Sequence, residues 1–239
     1  MKRHHAAPFL ALSLLLIIGA VMCGQSQPDP TATAAPVETR LSLPPPALDG
    51  ATGVEAALAS RRSQRDYQQT PLTLSEIGQL LWAAQGISGE RGRRTAPSAG
   101  ALYPLQAYLV AATVEDLAPG VYHYSPIDHT LARTLSGDRR AALSQAALDQ
   151  EAVQDAPAII VLVAVYERTT GKYGQRGVQY VHMEVGAAAQ NVYLQAEALD
   201  LGTVFIGAFH DRQAQDALQL PDAEMPLALL PIGHPVPSE

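Results

Sequence analysis

Ala158-Ile159-Ile160-Val161-Leu162-Val163-Ala164-Val165-Tyr166 is apolar on both faces of an extended chain, the pattern of a strand lying inside a sheet covered on both sides. Downstream, Val178 to Leu201 reads as the longest helix, with Gly202 as its C-cap. Thr203 to Phe209 then reads as a second buried strand, Asp211 to Leu218 as a short helix and Met225 to Ile232 as a last strand. Upstream, Leu105 to Ala112 is an apolar run of strand length, Gly120 to Leu135 a hairpin, and Asp138 to Gln150 helical by propensity. Thr73 and Glu76 form a capping box ahead of Leu74, Ile77, Leu81, Ala84 and Ile87, so Thr73 to Ile87 reads as a helix. Val54 to Arg62 is a shorter helix, and the Gly- and Arg-rich segment from Gly86 to Gly100 a loop. Helices and strands alternate without a regular βαβ rhythm, which predicts an α+β sandwich with a mixed sheet flanked by helices.

The helix over 178–201 is nearly apolar all round, and Gly186-Ala187-Ala188-Ala189 admits a close helix neighbour. Burial within one subunit accounts for this, and so does a dimer built around the helix. Glu184 and Asn191 share a face, which suits a buried polar contact across such a dimer.

At 239 residues with 47% apolar side chains, the chain can bury a substantial core. Residues 1–23 read as a signal peptide: Lys2 and Arg3 precede an apolar run from Pro8 to Met22, too short to span a bilayer comfortably. The single cysteine, Cys23, closes that run where bacterial lipoproteins carry their lipid acceptor, although Met22 stands where a small residue is usual. Export is expected, with membrane attachment through Cys23 lipidation or cleavage and release both open. Residues 24–47, rich in Pro, Thr and Ala, read as a flexible tether, and residues 48–239 as one domain. Beyond residue 23 there are 14 basic and 23 acidic side chains, a net charge of −9, which argues against nucleic acid as a partner. Without a further cysteine, disulfides, thiolate metal sites and cysteine nucleophiles are excluded there. The histidines of the domain are scattered and predict no metal site.

Two stretches carry chemistry. Arg61-Arg62-Ser63-Gln64-Arg65 sets three guanidinium groups and a hydroxyl within five residues, a donor set suited to a phosphate monoester. Pro97-Ser98-Ala99-Gly100-Ala101-Leu102-Tyr103-Pro104 adds a hydroxyl and a small-residue turn that backbone or ligand can approach closely. Arg91, Arg93 and Arg94 read as a solvated basic loop.

These stretches, with Gly120-Val121-Tyr122-His123-Tyr124, Lys172-Tyr173-Gly174-Gln175-Arg176-Gly177, the long helix, Gly202 to Phe209 and Leu230-Pro231-Ile232-Gly233-His234-Pro235, stand in an order that resembles the nitroreductase family. Within it they are most similar to the SagB-type dehydrogenases related to thiazoline and oxazoline oxidases. The resemblance implies an FMN-binding homodimer with the flavin at the subunit interface. It implies that Arg61, Arg62, Ser63 and Arg65 hold the phosphate and ribityl chain, with Pro97, Ser98 and Ala99 beside the ring. Leu102 and Tyr103 would approach from the partner chain, and Phe205 with Ile206, Gly207 and Ala208 would lie against the other side. Nitroreductases commonly carry a Lys or Arg after the Gly of the last strand; here His234 follows Gly233, which shifts the phosphate onto Arg61 and its neighbours.

Azoline oxidases of this branch use a Lys-Tyr pair for proton removal while flavin takes the hydride, which assigns that role to Lys172 and Tyr173. Read without the resemblance, Gly171 to Gly177 serves equally as a mobile solvent loop. The expectation is therefore an FMN-dependent oxidoreductase acting on a small molecule or peptide. The alternative is an exported flavin- or ligand-binding lipoprotein that keeps the fold without catalysis.

Overall fold

Residues Ala158–Ala164 form an interior strand of a seven-stranded sheet in the computed structural model, which describes residues 40–237. In chain order the elements are β1 (Arg40–Ser42), α1 (Val54–Ser60), α2 (Leu74–Gln85), β2 (Ile87–Gly89), β3 (Arg93–Arg94), β4 (Leu105–Ala111), β5 (Gly120–Ser125) and β6 (Thr130–Ser136). Then follow α3 (Arg140–Ala146), α4 (Glu151–Asp155), β7 (Ala158–Ala164), α5 (Glu167–Tyr173), α6 (Arg176–Ala198), β8 (Gly202–Thr203), α7 (Asp211–Leu218) and β9 (Met225–Gly233). The sheet order is β1-β6-β5-β4-β7-β9-β8, and β2 with β3 makes a separate hairpin. Each ladder in the sheet is antiparallel; the parallel pairing is an isolated bridge between Leu72 and Val114.

Every residue of β7 is buried, because its two sets of alternating side chains enter two different cores. Ile160 and Leu162 pack with Leu109, Leu230 and the inward faces of α2 and α6. Ile159, Val161 and Val163 pack with Val110, Leu143, Val153 and Leu218 on α3, α4 and α7. Helices thus cover both faces of the sheet, the arrangement that a strand without a polar face demands. The Thr73 side chain accepts from Glu76 N–H while the Glu76 carboxylate accepts from Thr73 N–H, so the capping box closes the start of α2 as its sequence predicts.

Several boundaries differ from expectation. Packing begins at β1, paired with β6, and Leu43 is buried, so residues 40–47 join the fold rather than a tether. Gly202 is not the cap of α6. The helix ends at Ala198, Asp200 takes the left-handed turn at φ 56°, and Leu201 N–H closes back on Ala196 O, which frees Gly202 to pair in β8. The strand expected over 203–209 is reduced to β8 and an Ile206–Leu229 bridge. The helix expected over 138–150 is shortened to α3, because Leu148 and Asp149 both adopt positive φ, and a separate α4 begins after it at Glu151. The Gly86–Gly100 loop contains the β2–β3 hairpin. Expectations for the signal peptide, Cys23 and residues 24–39 fall outside the described residues.

Candidate functional site

The arginine-rich segment has no regular secondary structure and is pinned from beneath. Gln64 N–H donates to Thr203 O at 2.9 Å, and the buried Tyr67 hydroxyl donates to Gln64 O at 2.7 Å and Pro231 O at 3.2 Å. This ties the segment to the edge formed by β8 and β9. Above it stands Tyr193 of α6. The Arg61 guanidinium lies 5.0 Å from the Tyr193 ring centroid, the Ser63 hydroxyl is 3.1 Å from the Tyr193 hydroxyl, and Phe205 N–H donates to that hydroxyl at 2.7 Å. Arg61, Ser63 and the Phe205 backbone are thereby gathered around one aromatic side chain, while Ile206 pairs with Leu229 and Ala208 O accepts from Gln150. Arg62 turns the other way and donates to Ala59 O, Ser60 O and Arg61 O, where it satisfies carbonyls at the C-terminus of α1. Arg65 is exposed.

A second cluster forms around the Pro97–Pro104 segment. Ala101 and Tyr103 hold φ of 53° and 46°, with Leu102 between them at −88° and Gly100 before them at 63°, positive-φ residues of the strained kind that collects at functional sites. Ser98 Oγ accepts Tyr103 N–H at 2.9 Å and fixes the turn. Arg94 is turned inward rather than solvated: it stacks 4.7 Å from the Tyr103 ring centroid and donates to Gln85 Oε1 at 2.6 Å and Leu105 O at 3.2 Å. Burial lowers its pKa. Leu102 is half-buried in the same turn.

Lys172 and Tyr173 arrive from the last turn of α5, not from a loop. A Cβ built on Gly100 would lie 2.8 Å from the Tyr173 hydroxyl and 3.1 Å from Lys172 Nζ, so both side chains reach the Ser98–Tyr103 turn. Tyr173 meets Tyr180 of α6 edge-on with centroids 5.1 Å apart, and Arg176 lies 5.4 Å from the Tyr180 centroid. Between Pro97–Ala99 and the Tyr180, Met183 and Glu184 side chains is a cavity of about 280 Å³.

The junction of α5 and α6 is held by Gly177, where a Cβ would lie 2.9 Å from both Thr170 Cα and Thr170 N. Backbone cannot yield there as a side chain can. Gly177→Ala is expected to cost about 1–3 kcal/mol by overpacking and to move Lys172 off the turn. Chemical denaturation checks the first expectation, and loss of turnover with retained cofactor checks the second.

Among the described residues no hydrogen bond, ion pair or ring contact joins the two clusters. Glu184 and Tyr193 are nine residues apart on α6, which puts them on opposite faces and roughly 13 Å apart along the axis.

A protein-family model described as the nitroreductase family matches residues 58–234, from α1 to the end of β9. The chain belongs to the nitroreductase family. A candidate nitroreductase of Methanocaldococcus jannaschii is 46% identical over 183 residues, covering 77% of this chain and 91% of that protein. The microcin B17-processing protein McbC of Escherichia coli is 31% identical over 114 residues, 46% of this chain and 42% of McbC. Among solved structures, a nitroreductase-like protein of Ralstonia eutropha superimposes with a TM-score of 0.73 at 28% identity, covering 86% of this chain and 93% of the other.

For this nitroreductase-family chain, Tyr193 is the site residue that sequence reading misses. Helix phase sets it on the same stripe of α6 as His182, Gly186 and Gln190, and the structure shows those three exposed. Glu184 and Asn191, expected to suit a polar contact across a dimer, each meet groups of their own chain. Asn191 Nδ2 donates to Ala83 O, and Glu184 is buried beside the Ser98 turn.

Proposed function

We propose that this nitroreductase-family protein is an FMN-dependent oxidoreductase that moves a hydride between substrate and flavin, in the manner of the SagB-type dehydrogenases. The observation that carries this reading is the presentation of Lys172 and Tyr173 by α5 onto the strained Ser98–Tyr103 turn. The likeness to a microcin-processing protein supports a peptide-sized substrate.

Family members usually bind FMN, and the residues here fit that group. Arg61 and Ser63 face outward around Tyr193 as anion donors, and the exposed Arg65, two residues on from Ser63, adds a second cation. Arg62 is engaged at the end of α1 and is left out of the phosphate set. The apolar cavity under Pro97–Ala99 suits a flat ring. When bound, FMN supplies the hydride acceptor. Lys172 takes the proton from the substrate, and Tyr173, packed against Tyr180, holds it at the turn.

A second copy of the chain completes the site. The exposed stripe of α6, with Met183 62% exposed and Gly186 open to approach, lies between the two clusters. Two α6 helices crossing antiparallel at Gly186 and Ala187 bring the Tyr193 cluster of one protomer to the Lys172 cluster of its partner. Residues 1–23 act as a leader that delivers the chain outside the cytoplasm, which favours a substrate oxidase over an enzyme fed by NAD(P)H.

Anaerobic bleaching of the flavin band by a thiazoline-containing peptide, and not by NAD(P)H, is the expected behaviour. Lys172→Ala is expected to keep its flavin and slow the bleaching by about 10²- to 10⁴-fold. Unchanged bleaching would remove Lys172 from the chemistry, and rapid bleaching by NAD(P)H would favour a nitroreductase.

A further inference from the structure

Among the described residues, Glu184 is the one charged side chain in the buried set, at 3% exposure, and the proton transfer assigned to Lys172 does not use it. Its Oε1 is covered and has no hydrogen-bond partner among those residues, yet the side chain lines the cavity under Pro97–Ala99. Leaving a carboxylate oxygen unpaired in an apolar cavity is costly, and the cost disappears when a ligand brings a donor.

The groups around it leave that place open. Arg94 of β3 acts on Glu184 through its charge, its Nη1 donates to Gln85 and Leu105 and its face lies on Tyr103, and no hydrogen bond joins it to Glu184 Oε1. The Ser98 hydroxyl of the turn approaches the carboxyl. From α5, Arg168 is committed to Tyr103 O, and Lys172 lies against Tyr173. From β5, Tyr124 bonds His129, and on α6 itself Tyr180 is engaged with Tyr173 and Arg176.

We propose that Glu184 is a ligand-binding residue whose free oxygen accepts a hydrogen bond from an N–H flanked by carbonyls on a flat ring, such as the imide edge of the flavin. This rests on the flavin reading above. The linkage has a definite sign. Burial pushes the Glu184 carboxyl up to about 7, against the lowering by Ser98 and Arg94. A donor on Oε1 favours the ionised form, so binding expels a proton below that pH and affinity rises with pH. Below the free carboxyl's pKa the affinity falls by up to about tenfold per pH unit.

The test is the Kd of FMN for the full-length protein, read by flavin fluorescence from about pH 5.5 to about pH 8.5. N3-methyl-FMN, which lacks the donor, is measured beside it. The FMN phosphate titrates in the same range, so the ratio of wild type to Glu184→Gln at each pH isolates the carboxyl. The expected result is a ratio of wild-type to Glu184→Gln affinity that climbs with pH, with N3-methyl-FMN bound at least tenfold more weakly by wild type. The proposal is overturned if Glu184→Gln keeps the wild-type profile, or if N3-methyl-FMN binds wild type as FMN does. The methylated flavin needs no variant, so a folding defect in Glu184→Gln does not blunt the test. Wild type that binds neither flavin at any pH overturns the flavin reading itself and this proposal with it; FMN binding without the pH step overturns this proposal alone.

Discussion

Arg61→Ala is expected to weaken FMN binding by about thirty- to 150-fold, the loss of one charge-assisted pair worth about 2–3 kcal/mol. Arg61 is held over Tyr193, beside Ser63 and the Phe205 backbone, so its guanidinium is ordered before any phosphate arrives. Arg62→Ala is the matched comparison. Arg62 already donates to three carbonyls at the end of α1, so its removal is expected to lower stability slightly and leave Kd within a few-fold of wild type. The double variant Arg61→Ala/Arg65→Ala is expected to lose flavin on gel filtration. Equal losses from Arg61→Ala and Arg62→Ala would show that the segment rearranges on binding, and full occupancy of the double variant would put the phosphate elsewhere.

The second expected result concerns mixed dimers. Arg61→Ala and Lys172→Ala each cripple every site of their own homodimer, but co-expression of differently tagged chains yields a heterodimer in which one site receives both intact residues. That species is expected to recover about half of the wild-type turnover per dimer, as a two-fold site shared between chains requires. The prediction follows from α6, which carries Tyr193 and Glu184 on opposite faces and so separates the two clusters within a chain. If Arg61 and Lys172 served the same site from the same chain, the heterodimer would hold no intact site and its activity would stay at the level of the parents.

Elements whose local chemistry and burial agree were legible in the sequence. The Thr73–Glu76 box starts α2 as read, α7 spans Asp211–Leu218, and the doubly apolar run at 158–164 is interior. Where tertiary contacts overrule local preference, the reading failed. α5 contains Thr169, Thr170 and Gly171, poor helix formers, and persists because Thr169 is buried and Gly177 lets α6 pack against it. Arg91, Arg93 and Arg94 look alike in sequence. Only the position opposite Ile87 in the hairpin turns Arg94 onto Gln85 and Tyr103. The end of α6 was misjudged because a glycine is the usual left-handed cap, whereas Asp200 fills that conformation here. In the candidate site, Lys172, Tyr173, Ser98 and Arg61 were found by motif. Tyr193 and the inward direction of Glu184 needed helix phase and burial, which the motif does not carry.

The most direct measurement is gel filtration of the full-length protein after incubation with FMN, with absorbance at the flavin band and eluting mass recorded together. The account predicts a yellow dimer carrying about one FMN per chain, as expected for two equivalent interface sites. A colourless monomer that no flavin concentration converts would contradict it, leaving a nitroreductase fold that has lost its cofactor.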